Sequence, residues 1–264
     1  MLSRLVLIGL MVLAALLAPL MQTARAAGRG DIATSVDETD LEKRERIRLE
    51  LASAYFAQGQ LPTALDEVKR ALQANPSSVQ AYNLRGLIYA SLNEPGLAED
   101  SMRRALQINA EDGDTLQNYG WILCGQRRYP DAMVQFDAAL ALPQWRDTAK
   151  TLMAKGVCQA RAGDLEEAEK TLTRSLQVDV SNLTAALNLA EVLYRRGDLD
   201  KAQFHIRRVN AVTEQQTAGS IWLALRIERK RGNTALVEEL GRRLRTRFPG
   251  SPPAMAYEQG QFDE

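Results

Sequence analysis

The residues best suited to metal binding or thiol chemistry are few and widely separated in this sequence. The chain has one histidine, His205, and two cysteines, Cys124 and Cys158. A structural zinc site needs four such ligands, and a cysteine nucleophile needs a histidine and a third group that orients it. The sequence shows neither arrangement. We therefore expect no metal, no cofactor and no thiol catalysis.

Acidic and phosphate-binding motifs give no enzyme signature either. The acidic pairs Glu166-Glu167 and Glu238-Glu239 occupy adjacent positions on predicted solvent-facing helix surfaces. An acid–base pair must instead face a substrate inside a cleft. The sequence has no glycine-rich phosphate loop, nucleophile elbow or zinc-binding helix motif. The prediction is a protein that is not an enzyme and has no small-molecule substrate.

The overall charge argues against nucleic acid as the partner. The chain has 33 basic and 33 acidic residues and a formal net charge of zero. It therefore lacks the overall positive field that attracts nucleic acid or an anionic membrane. A basic run at residues 242–247 has an anionic partner as one interpretation, but the favoured one is that its cations complement the dipole at a helix C-terminus.

The elements that carry these residues repeat along the chain about every 34 residues. Three series of small or apolar residues keep this period and stay in phase with one another. Two helices approach closely only where both have small side chains, so these series mark the crossings of helix pairs. The period is that of the tetratricopeptide repeat. The series are Ala52, Gly86, Gly120, Gly156 and Ala190; Ala64, Ala98, Ala132, Ala168 and Ala202; and Ala71, Ala105, Ala139, Ser175 and Val209.

Turn residues separate the two helices of each predicted pair. Residues that tolerate a left-handed or tight backbone occur between the helices of five units, at Gly59, Asn93, Gly163, Gly197 and Gly232. Pro76 and Pro249 close the first and last units, where a helix must stop. The third unit is longer by the insertion at residues 143–146. The predicted units are 45–78, 79–112, 113–148, 149–182, 183–217 and 218–251.

The predicted fold is all-α, a right-handed superhelix of about six helix pairs over residues 41–251, in which each pair contacts mainly its neighbours. The segment Thr39-Asp40-Leu41-Glu42 resembles a capping box at the start of the first helix. Residues 27–40 are predicted to be a flexible leader. Residues 252–264 are predicted to be a flexible tail, because Ser251-Pro252-Pro253 gives that segment little reason to pack.

The first 26 residues are predicted to be a cleaved export signal. Arg4 supplies a positive charge, an apolar stretch runs from Leu5 to Met21, and Ala24-Arg25-Ala26 has small residues where a signal peptidase needs them. The alternative is a retained membrane anchor, but the apolar stretch is shorter than the ~20 residues that a spanning helix needs. We expect a soluble protein of the periplasm.

Export changes the expectation for the two cysteines. Cys124 and Cys158 fall on the first helices of the third and fourth units, which are neighbours in a repeat array. Cysteines on adjacent elements tend to pair in an oxidising compartment, so a disulfide is predicted. The alternative is a pair of small buried thiols that fill helix interfaces.

The inner face of the first helices is the predicted partner-binding groove. Apolar residues at these positions exceed what the core needs, so Phe56, Leu87 and Trp121 are expected to form an exposed strip with polar neighbours. Such a strip suits a peptide or a strand edge from a partner. A place in the core between repeats remains the alternative for each of the three. The predicted groove residues are Leu49, Ser53, Phe56, Asn83, Leu87, Ala90, Gln117 and Trp121.

The third unit resembles the signature of a known family. The segment NYGWILCGQRRY at residues 118–129, followed by Ala132 and Phe136, is similar to the motif of type IV pilus biogenesis/stability proteins of the PilW/PilF type. The resemblance covers nearly all of the chain after the signal and implies six tetratricopeptide units. It also implies a pilotin, which promotes the outer-membrane localisation and multimerisation of the pilus secretin and contacts it through the groove of the early repeats.

One residue departs from that family's pattern. Its members are commonly lipoproteins, whereas Ala27 occupies the position expected for the lipid-bearing cysteine. Association with the outer membrane is therefore expected only through the partner. The alternative function is a general periplasmic scaffold for cell-envelope or cell-wall machinery. Loss of pili with surviving secretin monomer, on deletion of the gene, favours the pilotin; an envelope defect with normal pili favours the scaffold.

Overall fold

A computed structural model describes residues 39–262, which are organised as successive helix pairs. We call the odd-numbered helices α1 to α11 the first helices of the pairs, and the even-numbered helices α2 to α12 the second. The predicted signal at residues 1–26 and the leader residues 27–38 lie outside the described range. The helices are α1 (Asp40–Ala57), α2 (Leu61–Ala74), α3 (Val79–Ser91), α4 (Pro95–Ile108), α5 (Gly113–Gly125), α6 (Tyr129–Ala141), α7 (Thr148–Ala162), α8 (Leu165–Val178), α9 (Leu183–Arg196), α10 (Leu199–Asn210), a 3-10 helix (Thr213–Gln215), α11 (Ala218–Lys230), α12 (Thr234–Arg247) and α13 (Pro252–Glu258).

The first helix begins with the predicted capping box. The Thr39 hydroxyl oxygen accepts a hydrogen bond from the Glu42 backbone N–H at 3.2 Å, and the Glu42 carboxylate accepts one from the Thr39 backbone N–H at 2.8 Å. Two donors that the helix leaves without internal partners are thereby satisfied. Thr39 and Asp40 consequently belong to the start of α1, not to a loose leader.

The two helices of a pair cross where the small-residue series predict. A Cβ atom added at Gly120 would lie 2.8 Å from Cε1 of Phe136, and one added at Gly156 would lie 2.7 Å from Cγ of Leu172. These glycines are therefore required by the close approach of a first helix to a bulky residue of its second helix. The alanines of the second-helix series are fully buried, at Ala64, Ala98, Ala132, Ala168 and Ala202.

The turns inside the pairs adopt the predicted left-handed backbone. The five predicted turn residues have φ between 60° and 91°. The third pair has no glycine or asparagine at this place, and Arg127 adopts the conformation with a φ of 61°. Helices α3, α5, α9 and α11 begin at the first residue of a predicted unit, α7 begins one residue earlier, and α1 begins five residues before the predicted first unit. Every regular secondary-structure element among the described residues is a helix, as predicted.

The insertion in the third unit has a defined place in the structure. Residues 142–147 connect α6 to α7, and Trp145 lies over Gly113 at the start of α5 so closely that any Cβ there would clash with its ring. The Trp145 indole N–H donates a hydrogen bond to the Thr151 hydroxyl oxygen at 2.8 Å. The longer connection therefore serves as a contact between the third and fourth pairs.

The prediction of a flexible tail is wrong for residues 252–262. Helix α13 begins after Ser251, whose hydroxyl oxygen caps the Ala254 backbone N–H at 3.3 Å. Proline is compatible with the first turn of a helix, because the N–H that it lacks has no internal partner there. The helix packs on α11 and α12, with Ala254 buried and the Tyr257 ring filling the space over Gly241.

Candidate partner-binding groove

Three of the predicted groove residues converge on one open cleft. Phe56 near the end of α1, Leu87 on α3 and Trp121 on α5 line a cavity of about 470 Å³, which we call the apolar cleft. Phe56 and Leu87 are partly buried, and Trp121 is 40% exposed. Trp121 is therefore not an ordinary core residue between repeats. Three consecutive first helices thus contribute one large apolar side chain each to the apolar cleft.

The rest of the cleft is small or polar and carries no charge. Among the described residues, every one that lines it is uncharged; besides the predicted Ala90 these are Ser91, Asn93, Pro95, Ile122, Gly125 and Gln126. Sequence reasoning missed these six. For two of them the sequence contains a periodic pattern that could have identified them. Ser91 and Gly125 are the exposed last residues of α3 and α5, and with Ala57 at the end of α1 they form a series of small residues.

A residue of the fourth pair contacts the Trp121 ring. The Arg161 guanidinium carbon lies 4.8 Å from the Trp121 ring centroid, a cation–π distance. On the next turn of α5, the buried Cys124 lies against the buried Cys158 of α7, with Cα atoms 5.8 Å apart and the sulfur atoms placed for a bond. This Cα separation is within the range that disulfides have. The wall of the cleft formed by α5 is thus anchored to α7.

Gln117 is not a groove residue, contrary to the prediction. Its side chain is only 4% exposed, and its amide oxygen accepts a hydrogen bond from the Thr151 hydroxyl at 2.7 Å. The same hydroxyl oxygen accepts the indole N–H of Trp145. The insertion before α7 completes this chain of hydrogen bonds. The repeat pattern alone therefore does not predict that Gln117 is buried.

The remaining predicted residues do not line the cleft. Leu49 packs against the hydrophobic cluster that includes Ala52, and Ser53 is exposed. The Asn83 amide oxygen accepts a hydrogen bond from the Asn118 amide at 3.1 Å, which connects α3 to α5. Their positions place them on first helices outside the apolar cleft.

The family-like motif of the third unit is largely occupied by contacts between repeats. The Tyr119 hydroxyl donates to the Glu99 carboxylate at 2.8 Å, and the Arg128 guanidinium donates to the same carboxylate at 2.7 Å. Burial raises the pKa of Glu99, but these hydrogen bonds and the charges of Arg103 and Arg128 outweigh it and hold the pKa below its usual value. Glu99 therefore connects the second pair to the middle of α5 and to the turn that follows it.

Side chains suited to metal binding are not gathered in the described part of the chain. No three histidine, cysteine, aspartate or glutamate side chains within residues 39–262 are close enough together to hold a metal ion. His205 is half-buried and its Nδ1 has no hydrogen-bond partner. Burial, together with the charge of Arg208, lowers the pKa of this imidazole. None of the helices between residues 39 and 262 combines the length and apolar character needed to span a membrane.

Comparison with known proteins supports the helical repeat. Family models described as tetratricopeptide repeat match residues 49–113, 120–179 and 159–220. The chain is 24% identical over 245 residues to the type IV pilus assembly protein PilF of Pseudomonas aeruginosa, an alignment that spans 90% of this chain and 96% of that protein.

Two solved structures have a similar arrangement of helices. The crystal structure of PilW, described as a widely conserved type IV pilus biogenesis factor, superposes with a TM-score of 0.75 at 28% identity, covering 85% of this chain and 99% of that one. The structure of Pseudomonas aeruginosa PilF superposes with a TM-score of 0.71 at 21% identity, covering 84% of this chain and all of that one. The all-α superhelix predicted from the repeats is thereby confirmed.

Proposed function

Because the chain belongs to the tetratricopeptide repeat family and is related to the type IV pilus biogenesis factors PilF and PilW, we propose that it binds a segment of another protein and catalyses no reaction. The specific proposal is a periplasmic pilotin that promotes the outer-membrane localisation and multimerisation of the pilus secretin. The observation that carries it is the apolar cleft formed by Phe56, Leu87 and Trp121.

The cleft suits the anchor residues of a peptide. Its volume of about 470 Å³ lies within the range of known binding pockets. Aromatic side chains such as Phe56 and Trp121 contribute much of the binding energy at protein interfaces, because they bury large apolar areas with little loss of conformational freedom. Three first helices at about 10 Å spacing present ~20 Å of surface, which is the length of about six extended residues.

The proposed compartment agrees with the cysteine chemistry. An oxidising periplasm allows a disulfide between Cys124 and Cys158, whose Cα atoms lie 5.8 Å apart. The bridge would join the third pair to the fourth next to the apolar cleft. The proposed export signal at residues 1–26 provides the route to this compartment.

The test is the assembly state of the secretin in a strain that lacks this gene, measured by immunoblot of SDS-resistant multimers. Wild-type protein is expected to restore the multimers, and Phe56→Ala with Leu87→Glu is not, because the pair removes an aromatic anchor and places a charge in the apolar cleft. Phe204→Ala with Val180→Glu is the matched control. Both of its positions are highly exposed, at 67% and 70%, and neither lines the cleft.

A second variant tests the apolar cleft with a substitution that is not expected to impair folding. Ser91→Arg changes an exposed residue at the cleft rim, so it is expected to obstruct binding without disturbing the core. Protein levels and helical circular dichroism are compared for all variants. Unchanged multimers and intact pili in the deletion strain contradict the pilotin proposal. In that case an envelope defect supports the general periplasmic scaffold.

A further inference from the structure

The ends of the first helices differ in charge between the two halves of the array. The same exposed position, at or next to the last residue of the helix, is small and neutral in the first three pairs and basic in the last three. In α1, α3 and α5 the last turn contains no basic residue. The residues at this position are Ala57, Ser91 and Gly125, followed by Arg161, Arg195 and Lys230.

Each of the three cations contacts the first helix of the preceding pair. Arg161, Arg195 and Lys230 therefore occupy equivalent places along one edge of the groove, and we call them the basic row. The apolar cleft and the basic row meet at Trp121. The Trp121 ring lines the apolar cleft and also contacts Arg161, the first member of the basic row. The contacts are Arg161 over the Trp121 ring at 4.8 Å, the Arg195 guanidinium donating to the Ala160 carbonyl oxygen at 3.1 Å, and Lys230 over the Tyr194 ring at 4.3 Å.

The positive charge of the basic row is not neutralised by the described part of the chain. Within residues 39–262 none of its three members forms an ion pair with an acidic side chain. Arg196, the neighbour of Arg195 in the chain, pairs with Glu169, which also pairs with Lys201. The aromatic rings and the carbonyl group that the cations contact do not cancel a full charge. The basic row therefore remains available to an external anion.

The helix dipole does not account for this distribution. Cations near a helix C-terminus are favourable because they complement the partial negative charge there. The same dipole exists in α1, α3 and α5, whose last turns have no basic residue. A requirement that is common to all six first helices cannot explain a difference between the two halves of the array.

We propose that the groove binds an extended acidic segment of a partner protein, with an apolar residue in the apolar cleft and carboxylates on the basic row. This inference rests on the proposed function and specifies the chemistry of its partner. Neighbouring first helices are about 10 Å apart, and an extended chain advances about 3.3 Å per residue. The carboxylates are therefore expected at about every third residue beyond the apolar anchor.

The experiment selects a displayed library of random dodecapeptides on the purified protein. Peptides that bind wild type are expected to contain an apolar anchor and acidic residues at three-residue spacing. A synthetic peptide of the selected consensus is then compared with its Glu→Gln version by fluorescence anisotropy. Because exposed ion pairs contribute modestly, loss of three of them is expected to weaken binding by about fivefold to tenfold at low salt.

Two charge variants make the test specific to the basic row. Arg161→Gln with Arg195→Gln and Lys230→Gln is expected to abolish the preference for the acidic peptide over its Gln version. Arg174→Gln with Arg207→Gln and Arg242→Gln is expected to preserve it. This control removes the same number of exposed cations from the same three pairs, but from the second helices α8, α10 and α12.

The outcomes separate this inference from the function on which it rests. Equal binding of both peptides to wild type overturns the inference, as does an equal loss in the two charge variants. If Leu87→Glu still abolishes binding in either case, the peptide-binding function stands without the acidic preference. Failure of any peptide to be enriched, or enrichment that Leu87→Glu leaves unchanged, contradicts the peptide-binding function itself.

Discussion

At the scale of single residues, Glu99 connects several parts of the array through one carboxylate. It accepts hydrogen bonds from Tyr119 on α5, from Arg128 at the turn before α6 and from Arg103 one turn along α4. Tyr119 and Arg128 both belong to the family-like motif at residues 118–129. The motif therefore has two parts: Tyr119 and Arg128 fix the third pair to Glu99, whereas Trp121, Ile122, Gly125 and Gln126 line the apolar cleft.

Replacement of this carboxylate tests that role. Glu99→Gln is expected to lower the free energy of unfolding at pH 7 by about 1–2 kcal/mol, because hydrogen bonds to a charged acceptor are lost. The pKa of Glu99 is lower in the folded protein than its ordinary value of 4.5. The ionised form therefore stabilises the fold above about pH 4.5, and this stabilisation disappears as the pH falls through the lower folded pKa.

Urea unfolding at pH 7 and at pH 3 measures both parts of this prediction. The difference between wild type and Glu99→Gln is expected to shrink at the lower pH. Glu111→Gln is the control, since Glu111 is exposed and no side-chain hydrogen bond holds it. A difference that is the same at both pH values would show that the charge of Glu99 does not contribute.

At the scale of helices, the crossing of α5 over α6 depends on the absence of a side chain at Gly120. The fully buried Phe136 ring would lie 2.8 Å from a Cβ atom there. Gly120→Ala is expected to destabilise the protein by about 1–3 kcal/mol, because the ring is enclosed and cannot move away without strain elsewhere. The midpoint of thermal unfolding measures the effect.

A second glycine in a helix provides the comparison for Gly120. Gly96 lies in the first turn of α4, and a Cβ atom there would have no neighbour within 4 Å. Gly96→Ala is expected to leave the midpoint unchanged or to raise it, since alanine favours the helix. Equal shifts for the two substitutions would contradict the crossing argument.

The helix pairs could be predicted from the sequence because the same requirement recurs in each repeat. Small residues at the crossings and left-handed residues in the turns recur in the sequence with the period of the repeat. The same period predicts that Phe56, Leu87 and Trp121 lie on the inner face of the first helices. Gln117 and α13 could not be predicted in this way. Their packing depends on Trp145 and Tyr257, which contact Gly113 and Gly241 at positions that do not recur along the chain.

At the scale of the whole molecule, the described array contains three successive hydrophobic clusters, and one pair of cysteines lies across the interface between two repeats. The proposed disulfide between Cys124 and Cys158, which are separated by 34 residues, would connect the third pair to the fourth in the middle of the array. The stability of a linear array is roughly the sum of its units and of the interfaces between neighbours. A bridge at this place is expected to couple the unfolding of the two halves.

Reduction of the disulfide is expected to lower the free energy of unfolding by about 3–4 kcal/mol in the chain-entropy model. Denaturant unfolding with and without reductant measures the change, and mass spectrometry after alkylation counts the free thiols. Cys124→Ala with Cys158→Ala is the control, because reductant should not affect it. Two alkylated thiols in the denatured, unreduced protein would contradict the bridge.

Helix α13 and Phe262 close one end of this array. Phe262 stacks on Trp222 with ring centroids 5.7 Å apart, and the Arg229 guanidinium carbon lies 4.1 Å from the Phe262 centroid. The face on which a further helix pair would stack is therefore already covered, as in the terminal units of other repeat arrays. Six first helices at about 10 Å spacing give a surface of ~50 Å. The groove proposed along these six described helices would therefore accommodate at most about fifteen extended residues of a partner, whatever the length of that partner.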